Sequence, residues 1–146
     1  MDDFQLEEIP ESKLYKTGNI TLAAFFGGAI VGIYLLAENF RKLGRAHATY
    51  FTWIVGIFLF MLVNILRLYF FRLAEIPGIF YWILNALIVT WAGRHYQLAA
   101  INAHIDKGGE LYPPVRVVIV TLIGMGIWIF LALVLFFVQD TMAGHF

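Results

Sequence analysis

The sequence predicts an all-α fold: an integral membrane bundle of four transmembrane helices arranged as two helical hairpins. Three observations predict it. Hydrophobic residues make up 61% of the chain and charged residues only 14%, against about a half and a quarter in a soluble domain, so the chain has too little polar surface to cover itself in water. The apolar residues fall into four charge-free runs, each about as long as a helix rising 1.5 Å per residue needs to cross roughly 30 Å of hydrocarbon. Those runs lack the alternating polarity of barrel strands, and in hydrocarbon an open strand leaves its peptide groups unpaired.

The elements follow in order. Residues 1–17 read as an acidic N-terminal tail, with no basic stretch leading into an apolar core as a cleaved signal peptide requires. The first span is expected over 18–38, the second over 50–71, the third over 76–94 and the fourth over 115–138. A basic loop, "NFRKLGRAHAT", joins the first pair, and "RLAEIPG" turns tightly at Pro77 and Gly78 into the third. Residues 95–114 form the longest connection. Leu98, Ile101 and Ile105 sit there at helical spacing, Gly108 and Gly109 stop the helix, and Pro113 and Pro114 start the next. Tyr50, Trp53, Tyr69, Tyr81, Trp82, Trp91, Tyr96 and Tyr112 fall near span ends, where amphipathic rings settle. Trp128, near the middle of the fourth span, reads as a packing or lipid-facing residue.

Orientation is read from short-loop Lys and Arg. One side of this arrangement holds Arg41, Lys42, Arg45, Arg94, Lys107 and Arg116, and the other holds Lys13, Lys16, Arg67 and Arg72. Six against four puts both longer connections in the cytoplasm and both termini outside, in the periplasm of a bacterial inner membrane.

Small residues recur at Ala24, Gly28 and Gly32 within "AAFFGGAIVG". Four-residue spacing on a straight helix makes them one face, and small faces let membrane helices approach closely. Gly124 and Gly126 give the fourth span a notch that receives this face, unless a second copy or another membrane protein does. Asn64 and Asn85, at similar depth on antiparallel spans, are expected to fix register as an interhelical amide pair. Arg67 cuts into the second span and snorkels outward, with Glu75 as a partner. Glu38, with Arg41 and Lys42 three and four residues on, anchors the end of the first span, and Arg94 lies within reach of it.

No catalytic, cofactor or metal site is expected. His47, His95 and His104 share a side with Asp106 and Glu110 but match no ligand spacing. No phosphate loop, nucleophile elbow or paired-acid motif is present in the sequence. Cysteine is absent, and a net charge of zero offers no basic field for nucleic acid.

The segment from Leu14 to Ala48 carries Tyr15, Phe26, Gly27, Gly28, Asn39, Phe40, Leu43 and Gly44. In these positions it resembles a poorly characterised family of small bacterial multi-helix inner-membrane proteins, with a tyrosine before the first span, "F-GG" within it and an "N-F-LG" exit. The resemblance covers about a quarter of the chain. It implies a bacterial membrane protein of a few helices and carries no activity or cofactor with it. The expected function is therefore non-catalytic. The chain acts through helix contacts in the bilayer, as an accessory subunit or as a binding or neutralising (immunity-type) partner of another membrane protein. The alternative is an oligomeric small channel or transporter. Four-helix multidrug transporters and fluoride channels share its size, but Glu38 lies only at the edge of the first span.

Overall fold

The computed structural model describes residues 12–74 and 77–143. The chain is all α, with five helices: α1 (Thr17–Gly27), α2 (Ala29–Lys42), α3 (Ala46–Ala74), α4 (Gly78–Asp106) and α5 (Pro114–Ala143). Among the described residues the only β pairing is one parallel bridge between Leu14 and Leu111.

The expected first span, 18–38, is not one helix. Gly28 has φ +85° and ψ 168°, a backbone state essentially confined to glycine, and there the chain reverses. On a straight helix Ala24 and Gly32 lie about 12 Å apart. Here a Cβ placed on Gly32 would stand 2.7 Å from the Cβ of Ala24. Thr17 and Leu36, at opposite ends of the predicted span, both lie 3.3 Å from where Gly93 would carry its Cβ. Asn39 likewise meets Tyr15. Helices α1 and α2 are thus the two arms of a short hairpin whose ends open on the same side. Ala24 and Gly32 are not neighbours along one face, as expected. They oppose each other across the hairpin, with Gly28 as its turn.

This hairpin is the core. Ile20, Ala23 and Ala24 from α1 and Val31, Leu35 and Leu36 from α2 bury together with Tyr15, Val89 and Val117. Helix α1 packs on α4 and α5, and α2 packs on α3 and α4. Small residues set the approaches. Gly56 of α3 admits Ile33, Gly32 accommodates Val89, and Gly124 lets α5 close on Val31 and the carbonyl of Gly27. Helices α3 and α4, consecutive in the chain, touch each other only sparsely because the hairpin sits between them.

The long helices turn their apolar residues outward. Phe58 is 63% exposed, Phe130 65% and Phe137 67%, an arrangement water would penalise heavily. Two helices, α3 and α5, are long and apolar enough to cross a membrane. At 11 and 14 residues, α1 and α2 are each too short. Helix α4 has the length, at 29 residues, but Asn85, Arg94 and His95 lower its hydropathy.

Helix ends on the open side of the hairpin are closed with care. After α2, Gly44 (φ +70°) lets Arg45 N–H donate to Phe40 O at 2.9 Å and Gly44 N–H to Arg41 O at 3.1 Å. After α4, Gly108 (φ +79°) does the same: Gly109 N–H donates to His104 O at 2.8 Å and Gly108 N–H to Ile105 O at 2.9 Å. Both are Schellman closures.

Candidate functional site

Two places carry polar groups into the apolar body, one at each end of the hairpin. At the open end, residues 13–16 are not part of a loose tail. Leu14 and Tyr15 are fully buried. Leu14 N–H donates to Glu110 O at 3.2 Å, and Tyr112 N–H donates to Leu14 O at 2.8 Å, so the segment is a one-residue strand against the α4–α5 loop. Asn39 binds the next peptide in both directions: Tyr15 N–H donates to its Oδ1 at 2.7 Å, and its Nδ2 donates to Tyr15 O at 2.9 Å. The same Nδ2 donates to Gln97 Oε1 at 3.1 Å, while Gln97 Nε2 donates to Leu36 O at 2.7 Å. Three segments far apart in sequence are thereby tied by two fully buried carboxamides whose bonds are well satisfied.

Around this clamp, Arg116 Nε donates to the Tyr15 hydroxyl at 3.0 Å and its guanidinium lies 4.1 Å over the Tyr112 ring. Tyr15 and Tyr112 rings are 4.5 Å apart. Burial pushes the Tyr15 phenol above its ordinary range, with the Arg116 contact opposing part of that shift. Lys13 pairs with Glu110 and holds its carboxyl below the usual carboxylate range.

At the closed end, the Gly28 turn meets Trp128: a Cβ on Gly28 would come 2.6 Å from the indole Nε1. No Schellman closure exists here. Among the described residues Gly28 returns no backbone hydrogen bond to α1, and α2 starts with no side-chain cap. Below the turn, α3, α4 and α5 continue past the hairpin and enclose a cleft of about 560 Å³. The hairpin contributes Phe25, Phe26 and Gly28 to it. Phe60 and Val63 come from α3, Tyr81, Trp82 and Asn85 from α4, and Met125, Trp128 and Ile129 from α5. Phe60 and Trp128 rings lie 5.8 Å apart, closing one wall.

The residues singled out from sequence distribute as follows. Ala24, Gly28, Gly32 and Gly124 all lie at contacts within the chain, whereas nothing stands within 4 Å of a Cβ on Gly126. Asn85 turns its Nδ2 back to Tyr81 O at 2.8 Å and lines the cleft. The side chains of Asn64 and Arg67, and all of Glu75, lie outside the described residues. Glu38 takes Arg41 in a two-point pair, 2.8 Å to Nε and 2.6 Å to the terminal nitrogen, and this pair keeps its carboxyl busy without Arg94, which is exposed. His95 stacks on Trp91, 5.3 Å between centroids, and His104 Nε2 is 3.3 Å from Glu110 O.

Sequence reasoning missed the clamp. Its buried face on α4 runs Ala86, Val89, Gly93, Gln97, Ile101, His104, a repeat of threes and fours that passes through a glutamine. Leu98 and Ile105, taken with Ile101 as the apolar stripe, are 42% and 43% exposed. The signal was the spacing itself: polarity at Gln97 hid a position that the periodicity placed inside. The hydroxyls of Thr21 and Thr90, 3.0 Å apart between α1 and α4, escaped for the same reason.

No family model matches the chain, and neither a curated protein nor a solved structure matches it.

Proposed function

We propose that the chain is a multi-pass integral membrane protein, without chemistry of its own, that binds another component of the bilayer beneath its hairpin. In this reading α3, α4 and α5 cross the membrane, and α1–α2 enters as a re-entrant hairpin from the cytoplasm. Arms of about 16 and 21 Å reach roughly halfway through the hydrocarbon. The observation that supports it most directly is the cleft. Three long helices extend beyond the hairpin tip around an aromatic space that the described residues leave open.

The folded hairpin also changes the charge count. Lys13, Lys16, Arg41, Lys42, Arg45, Arg94, Lys107 and Arg116 now belong to the open end of the hairpin, and Arg67 and Arg72 to the far half of α3. Eight against two replaces six against four, and it favours a cytoplasmic N-terminus with the C-terminal end of α5 outside. The small-residue face, expected to meet the fourth span unless a second protein takes it, is spent on packing within the chain, so in this reading the partner-binding surface is the cleft.

Affinity purification from native membranes in mild detergent tests the reading: a component retained by the wild type and released by Trp82→Ala with Ile129→Ala supports it, and retention unchanged by both variants counts against it. A channel or transporter is the second reading. It draws on the uncapped break at Gly28, since discontinuous helices at membrane depth are a common way to build solute sites. Selective flux through liposomes containing only the purified protein would favour it over the first.

A further inference from the structure

The cleft beneath Gly28 has a polar end and an aromatic body, and that asymmetry specifies an occupant. Trp128 presents its indole N–H beside the Gly28 peptide, and it has no hydrogen-bond partner among the described residues. Asn85 spends one amide hydrogen on Tyr81 O, leaving its other hydrogen and its Oδ1 for a neighbour. At the Gly28 turn the carbonyl accepts from Val31 N–H and Gly32 N–H, and the Gly28 N–H has no backbone acceptor among the described residues. Polar groups that face hydrocarbon without partners are costly, and the half-exposed Trp128 N–H and part-buried Asn85 amide at the cleft suit a group that accepts hydrogen bonds. Among the described residues no Lys, Arg or His lines the cleft, which disfavours a carboxylate or phosphate head, since an unpaired charge there has nothing to offset its desolvation. The remaining walls, with the Phe60 ring against Trp128 and with Tyr81 and Trp82 also lining the cleft, suit a flat ring stacked or set edge-on more than a flexible acyl chain. At about 560 Å³ the space falls within the size range of small-molecule sites.

We propose that this cleft binds a neutral, lipid-soluble ring compound bearing a carbonyl acceptor, a quinone by chemical class. Its carbonyl lies against Trp128 Nε1 and Asn85, and its ring lies between α3 and α4. The proposal rests on the cleft reading above and names the occupant.

The test uses the full chain in nanodiscs with Trp53→Phe and Trp91→Phe, which leaves Trp82 and Trp128 as the emitting residues, both in the cleft. Titration with 2-methyl-1,4-naphthoquinone is expected to quench emission in a saturable phase. Adding Trp128→Phe, which keeps an aromatic ring but deletes the N–H, is expected to weaken that phase about fivefold as read from Trp82; Asn85→Leu is expected to weaken it as well. Linear quenching identical in all variants would mean the quinone merely partitions into lipid and would overturn the proposal. So would full quenching by bromine-labelled acyl chains that added quinone does not relieve, because the cleft would then hold lipid. Either result leaves the co-purification test of a binding cleft standing on its own.

Discussion

Gly28 and Tyr15 are the residues on which the two ends of the hairpin depend. At Gly28 a Cβ meets two obstacles, a backbone state that costs about 1–3 kcal/mol for other residues and the Trp128 ring. Gly28→Ala is therefore expected to lower thermal stability in detergent clearly, while Gly126→Ala, with open space around it, leaves stability unchanged or slightly raised through helix propensity. Equal effects at the two glycines would remove the turn from the explanation. At Tyr15 the phenol is held above its ordinary value of 10.0 by burial, less the opposing effect of Arg116. The folded state thus prefers the neutral ring, and that preference is fully present below pH 10 and fades as pH rises through the folded value. Wild-type stability is expected to fall more steeply as pH rises above 10 than that of Tyr15→Phe. Parallel pH profiles would show that the phenol is not differentially buried.

At the scale of elements, the hairpin is the feature that separates this fold from the four-span bundle its hydropathy suggests. It can be tested with the chain's lack of cysteine as an advantage. Lys16→Cys paired with Arg41→Cys is expected to cross-link within one chain through a short bismaleimide, since the adjoining Tyr15 and Asn39 are in hydrogen-bond contact. In a continuous helix the same residues stand about 37 Å apart, and no such product forms. The hairpin was hidden because both models place the same small residues at the same spacing. Ala24, Gly28 and Gly32 are four apart on a straight helix, and they are also symmetric about Gly28, which is what a fold-back requires. Charge patterning did not discriminate either, because a re-entrant pair and a span are equally apolar. Within the segment from Leu14 to Ala48, the Tyr15 and Asn39 ends meet, and Gly27–Gly28 lies at the turn between them.

For the whole molecule, the proposed arrangement of three crossing helices and one re-entrant hairpin has an odd number of crossings, so the termini are predicted to lie on opposite faces. Single cysteines at Lys13, Arg45 and Lys107 are expected to resist an impermeant maleimide added to intact cells, and one at Pro77 to react. Labelling of Lys13→Cys from outside would reverse the orientation, and labelling of Lys13→Cys and Lys107→Cys from opposite sides would break the common end that Leu14, Glu110 and Tyr112 share.

Composition and periodicity alone determined the helical class, the apolar character of α3 and α5, the start of α4 at Pro77–Gly78 and the stop at Gly108–Gly109. These are local properties: helix formation, chain length and glycine's freedom at positive φ act over a few residues, so a few residues reveal them. Only the tertiary structure decided that the first apolar run doubles back, that Asn39 and Gln97 clasp the Tyr15 peptide, and that Trp128 packs on the tip of the hairpin at the edge of an open cleft. Each of these depends on contacts between segments separated by 24 to 58 residues or more. The physical reason is that one glycine can either continue a helix or reverse it at modest cost, and what selects between them is the packing of α4 and α5 against both arms at once.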